Sequence, residues 1–200
     1  EITTRLVGSE MCIRDRAEFY EGAAKAYQNV AFVVIGTGVG GAVFMDGKIH
    51  KGAHLYGGEF GLMLLDNNQT FSQLGTAVSM AWRYCERKGL AKTAYSGKEV
   101  FALAEQGDQI AKEEVDRFYD YLTKGLFSIQ FTFDPEAIII GGGISAKKDL
   151  LKELNQRMKQ LTTRYELNDF DPQLLLCDYR NEANLIGASA NFFATARGDS

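Results

Sequence analysis

The chain has 200 residues, 46% of them hydrophobic and 24% charged, which excludes intrinsic disorder and collagen-like repeats and fits a globular domain. No apolar run nears the roughly 20 residues that span a bilayer. The net charge of -4 carries no block of like charges, so neither a membrane nor a nucleic acid is an expected partner. The first residues lack the apolar stretch of a secretory signal, and the cytoplasm is the expected compartment.

The run Asn29 to Ile35 (NVAFVVI) is short, apolar and β-branched, which predicts a buried strand. In the following GAVFMDGKIHKG, Asp46-Gly47 between two apolar stretches predicts a hairpin, giving three successive antiparallel strands. From Phe71 the period becomes helical. Leu74, Val78, Ala81, Trp82 and Cys85 are predicted to share one helical face. Ala111, Val115, Phe118, Leu122, Leu126 and Ile129 share another, on a longer helix that Phe133-Asp134-Pro135 should stop. The segment AIII then reads as a second buried strand. It is followed by GGGIS, a helix from Lys147 to Leu161, and a third strand in QLLLCDY. Strand, glycine loop, helix and strand form a βαβ unit with parallel strands and a right-handed crossover. A closing helix is expected over Leu185 to Ala196. The fold class is therefore α/β, a mixed sheet with helices on its faces, and one domain is expected.

Three cysteines, Cys12, Cys85 and Cys177, lack C-x-x-C or C-x-C spacing and read as unpaired thiols. Function is sought instead among the 21 glycines, nine of which fall between Gly36 and Gly61. Gly36, Gly38 and Gly41 satisfy G-x-G-x-x-G. A dinucleotide fingerprint requires a helix to open at that loop, and here a strand continues. What remains is a strand-to-strand turn bare enough to approach a phosphate, with the Thr37 hydroxyl as a hydrogen-bonding group. A tight hairpin that needs positive φ fits the same spacing.

The loop Gly141 to Gly143 lies at the carboxyl end of a predicted parallel strand, where open α/β sheets bind ligands. Its bare backbone could support a base or a ribose. A plain strand-to-helix turn with Ser145 as N-cap is the other reading. Between the two loops, Gly57 and Gly58 free the backbone around Glu59, whose carboxylate could accept two hydrogen bonds from neighbouring hydroxyls of a polyol. A solvated loop glutamate is its alternative. His50 and His54 are too few for a metal site.

The segments VVIGTGVGGAVFMDGKIHKGAH, GGEFG, FDPEAIIIGGGIS and NLIGASANFF, in this order, resemble the ROK family of sugar kinases and sugar-responsive repressors, from about Gly22 to Arg197. The resemblance implies an actin-like, ribonuclease H-like ATPase fold, of which residues 17–200 would be the C-terminal lobe. It also implies that Gly36, Thr37, Gly38, Gly40 and Gly41 form a phosphate loop and that Gly141, Gly142, Gly143 and Ser145 form the adenosine motif. Glu59, with Gly58, would accept sugar hydroxyls.

Two departures qualify the resemblance. Many members carry a histidine three residues after this glutamate and then a cysteine cluster, which together bind zinc. Here Leu62 stands at that position and no cysteine follows in LMLLDNNQTFSQLGTAVSM, so the resemblance is to the zinc-less, glucokinase-like and β-glucoside kinase-like branch, and no metal site is expected. The family's D-x-G-G-T loop and its N-D-x-N motif, which supplies the catalytic aspartate, are not found in this sequence. MCIRDR resembles translated sequencing-adapter read-through, so residues 1–16 are expected to be a non-native or disordered leader.

By this resemblance the chain belongs to an ATP-dependent kinase that transfers a phosphoryl group to a hexose or hexoside hydroxyl, with ATP, Mg²⁺ and a sugar as its small-molecule partners. These 200 residues alone are expected to be inactive. The alternative is the sugar-sensing domain of a ROK-type repressor. A homodimer is left open.

Overall fold

The computed structural model describes residues 22–178. The predicted leader, Cys12 and the expected closing helix Leu185 to Ala196 lie outside the described residues.

The core strand is β1 (Val30–Ile35), five of whose six residues are buried. It pairs antiparallel with β2 (Val39–Met45), from Val30 opposite Phe44 to Ile35 opposite Val39. The predicted hairpin to β3 (Lys48–Ile49) forms as expected, with Asp46 at φ 50° and Gly47 at φ 75°. Positive φ at both central residues is what a two-residue hairpin turn of the I′ type requires, and Asp-Gly accommodates it. A hairpin of β4 (Leu64–Asp66) and β5 (Gln69–Thr70), turned at Asn67 and Asn68, also with positive φ, was not foreseen from the sequence.

The helical stretch after it is two helices. A single turn, α1 (Phe71–Leu74), is closed at its start by a capping box between Thr70 and Gln73. Thr76 then caps α2 (Ala77–Arg87). The break at Gly75-Thr76 rotates the buried face relative to a continuous helix. Met80, Ala81, Tyr84 and Cys85 face the core, while Trp82 is exposed and Val78 only partly covered. Helix α3 (Gly97–Glu105), also not foreseen, begins with a Ser96–Glu99 capping box. Helix α4 (Gln109–Phe133) carries the predicted apolar stripe, with Val115 partly buried and the other five residues fully so. Each of the larger side chains wholly withdrawn from water on that stripe, Phe118, Leu122, Leu126 and Ile129, contributes about 1.5–3 kcal/mol. The helix ends at Asp134, whose left-handed backbone turns the chain into Pro135.

The helix also buries Glu114, whose carboxylate accepts hydrogen bonds from Arg83 Nε at 2.8 Å and Arg87 at 3.0 Å. A fully buried carboxylate persists only with such partners. Strand β6 (Ala137–Gly141), buried throughout, joins β1 in parallel, with Val30 opposite Ala137 and Val34 opposite Gly141. The Glu136 carboxylate receives the backbone N–H groups of Gln28 and Asn29, both at 2.7 Å, which ties the starts of the two strands together. Helix α5 runs over Leu150–Arg164 rather than from Lys147 to Leu161, and β7 (Leu174–Leu176) completes the βαβ unit in parallel with β6.

The sheet order is β3-β2-β1-β6-β7. The five described helices pack on one face of it, over Ala31, Val33, Val43, Ile138 and Ile140. Ala24 and Tyr27 pack against Phe32, Phe44 and Ile139 on the other.

Candidate functional site

The parallel pairing of β1 with β6 brings their carboxyl ends side by side, so the two glycine turns that follow them become neighbours. At the first, Gly36 N–H donates to Gly38 C=O at 2.9 Å. Ser72 Oγ accepts from Val39 N–H at 2.9 Å and donates to Val39 C=O at 3.2 Å. None of Gly36, Gly38, Gly40 or Gly41 has positive φ, so the tight-hairpin explanation for these glycines does not hold. Their roles divide. A Cβ at Gly41 would overlap Phe32 O and the Phe60 ring, whereas a Cβ at Gly36 would meet nothing within 4 Å. Gly41 serves packing; Gly36 borders open space. Thr37 is exposed, and among the described residues its hydroxyl has no hydrogen-bond partner.

At the second turn Gly141 ends β6, and Gly142 adopts φ 86° against the Ile35 backbone, where any Cβ would overlap Ile35 O. Gly143–Ala146 is a 3₁₀ turn, and α5 starts only at Leu150. Ser145 is therefore not the helix N-cap. It is buried, and its hydroxyl donates to Gly142 C=O at 2.8 Å, fastening the turn to itself.

The two turns open on one cleft of about 740 Å³. Gly36, Thr37 and Gly143 line it; Gly38, Gly40, Gly41, Gly141, Gly142 and Ser145 build the frame behind them. The remaining lining was not foreseen. It comes from Ala77 and Val78 in the first turn of α2, from Lys98, Phe101, Ala102 and Glu105 on α3, and from Ile144, Ala146 and Lys147 beyond the second turn. The cleft thus has apolar walls with polar groups at a few points, the usual make-up of a small-molecule site.

Glu59 lies outside this cleft's lining, on a turn seated against the same strand β2. Gly58, at φ 85°, packs on Gly41 O and the Ala42 backbone, Phe60 fills the space beside Gly41, and Gly61 abuts Val39 O. Glu59 is partly exposed, its N–H donates to Tyr56 C=O at 3.2 Å, and among the described residues its carboxylate has no hydrogen-bond or ion-pair partner. Leu62, at the position where zinc-binding members have histidine, is 61% exposed, and His50 and His54 are exposed too. Among the described residues no three His, Cys, Asp or Glu side chains gather as a metal's ligand set.

The sequence matches the ROK family over residues 13–194, so the chain belongs to the ROK family, and its mixed sheet is that family's actin-like α/β fold. It is 28% identical to a beta-glucoside kinase of Listeria monocytogenes, covering 88% of this chain and 60% of that protein. An uncharacterized protein, CPE0188, of Clostridium perfringens is 33% identical over 88% of this chain and 59% of its own length. The crystal structure of a ROK family protein from Streptococcus pneumoniae TIGR4 in complex with sucrose superposes with a TM-score of 0.83 at 30% identity, covering 94% of this chain and 65% of that one. The chain spans about three fifths of the length of these curated relatives.

Proposed function

We propose that this chain forms one wall of the active cleft of an ATP-dependent sugar kinase, transferring a phosphoryl group to a hexose or hexoside hydroxyl. One observation carries the reading. Gly36 and Thr37 after β1, and Gly143 after β6, line a single cleft beside the first turn of α2. Carboxyl ends of parallel strands and a helix N-terminus together favour a polyphosphate. In this reading the backbone bared at Gly36 and the Thr37 hydroxyl meet the phosphates, and the Phe101, Ile144 and Ala146 surfaces hold the base. The Glu59 carboxylate orients sugar hydroxyls.

The kinship with beta-glucoside kinase supports a hexose or hexoside as acceptor. The sugar hydroxyl loses its proton to a general base and attacks the γ-phosphorus, and the bond to the β-phosphate oxygen breaks to release ADP. No residue of the described cleft is assigned as that base. Glu105 is the one carboxylate in the cleft lining and is ion-paired with Lys147, so these residues do not fit a resident Mg²⁺. The ion belongs to the nucleotide, as its phosphate complex.

Calorimetric titration of the chain with Mg·ADP, and separately with a panel of hexoses and β-glucosides, tests the reading. Binding of both ligand classes supports it. Sugar binding without nucleotide binding would move the chain to the sugar-sensing alternative, and binding of neither would remove both.

A further inference from the structure

We propose that Lys147 is a positioning residue that sets the width of the cleft at the end where the nucleotide base lies. This inference rests on the nucleotide reading above. Lys147 stands just beyond the 3₁₀ turn, and its backbone is fixed on both sides. Its N–H donates to Ile144 C=O at 3.0 Å, and its C=O accepts from Leu150 N–H at 3.2 Å. From that anchor the side chain crosses to the opposite wall. Its Nζ lies 4.6 Å from the centroid of the Phe101 ring and 3.6 Å from Glu105 Oε1. Phe101 and Glu105 are four residues apart, hence on the same face of α3, and all three side chains line the cleft.

The two contacts differ in weight. Glu105 is 74% exposed, and an ion pair so open to water is weak. The ring is held more firmly. Phe101 packs edge-on against Phe118 at 5.7 Å and also touches Tyr119, both on the buried side of α4. Lys147 therefore grips a fixed platform through a cation–π contact and uses Glu105 as a second tether.

The span matters because α3 is anchored in the core on one side, through Val100 and the partly buried Phe101, Leu103 and Ala104, while Lys147 ties its cleft side to the opposite wall. Ile144 and Ala146 on one side and Phe101 and Ala102 on the other line the part of the cleft that this reading gives to the base. Lys147 is the strut across it. The lysine should thus govern affinity for the nucleoside portion of the ligand more than for its phosphates.

The test compares the 200-residue chain with its Lys147→Met and Lys147→Arg variants, measuring Mg·ADP by calorimetry and Mg·pyrophosphate by its displacement of ADP. Thermal melting shows that each variant is folded. Lys147→Met should weaken ADP roughly five- to tenfold while pyrophosphate changes less than about twofold, and Lys147→Arg, which keeps a cation over the ring, should stay close to wild type. Unchanged ADP affinity in Lys147→Met would overturn the proposal. So would equal losses for ADP and pyrophosphate, which mark a general electrostatic or structural effect, or a loss in the arginine variant as large as that in the methionine variant. If the unmodified chain binds neither ligand, the nucleotide reading itself fails, an outcome distinct from these.

Discussion

Ser72 holds Val39 by both of its backbone groups, accepting from the N–H at 2.9 Å and donating to the C=O at 3.2 Å across 33 residues of sequence. The hydroxyl thereby fixes the exit of the Gly36–Gly38 turn to helix α1. Ser72→Ala removes both bonds and leaves the buried Val39 amide without its partner. A stability loss of about 1–3 kcal/mol is expected from urea denaturation, with a parallel weakening of nucleotide binding. Unaltered stability would mean that another donor and acceptor replace the serine.

The glycines of the same turn should separate packing from binding. At Gly41 a Cβ meets Phe32 O and the Phe60 ring, so Gly41→Ala must shift the strand or the ring, and a loss of about 1–3 kcal/mol or more follows from overpacking. At Gly36 the space is open and φ is ordinary, so Gly36→Ala should melt like wild type. Its added methyl group borders the cleft and, if the cleft takes a nucleotide, should weaken Mg·ADP binding. Equal ADP affinity in a stable Gly36→Ala protein would argue against a phosphate role for this turn.

Glu59 offers a third measurement. Its turn is fixed through Gly58, Phe60 and Gly61, while its carboxylate bonds nothing among the described residues, so Glu59→Gln should leave the melting curve unmoved. If the carboxylate accepts sugar hydroxyls, each charge-assisted bond weakened costs up to about 1.5–3 kcal/mol of sugar affinity. Sugar titration of the variant decides. An unchanged affinity returns Glu59 to the role of a solvated loop residue.

The acid limb of stability should report Asp108. The Lys88 ammonium at 2.8 Å, the Ala111 N–H at 2.9 Å and the Tyr84 hydroxyl at 3.2 Å hold this carboxyl down to about 2. A carboxyl whose folded value is depressed stabilises the fold above its unfolded value, near 3.8, and that contribution disappears as pH falls toward 2. The unfolding free energy should therefore decline between about pH 4 and pH 2. In Asp108→Asn this part of the decline should be missing, as acid titrations followed by circular dichroism would show.

Much of this fold was legible because its strands announce themselves locally. Val30–Ile35 is an unbroken apolar run, Asp46-Gly47 admits few other turns, and Phe133-Asp134-Pro135 cannot continue a helix. The two glycine turns were also found, although which glycines face a cleft and which face neighbouring side chains depends on tertiary contacts. Phe60 against Gly41 is such a contact, and no spacing rule contains it.

Helix α3 shows the opposite case. Its Ser96–Glu99 capping box closes a helix in which Val100 is the one residue fully buried, so the apolar period is faint and the cleft wall formed by Phe101, Ala102 and Glu105 is not legible in the sequence pattern. The sequence pattern places Lys147 at the start of a helix. Its side-chain partners lie more than forty residues earlier, and only the folded chain brings them together. The exposure of Trp82 has a similar cause, since the break at Gly75-Thr76 resets the helical phase that the sequence pattern assumed.

The parallel pairing that sets Val34 beside Gly141 also bears on the order of events in folding. Helices α1 to α4 lie between the two strands along the chain, and a contact of such long range forms slowly because its loop must close before the pairing repays the entropy. The cleft, which exists only once these two strands are paired, is then expected to appear late in folding. A nucleotide bridging the ends of β1 and β6 would act as a kinetic lock, lengthening the lifetime of the native state while leaving the rate of reaching it almost untouched.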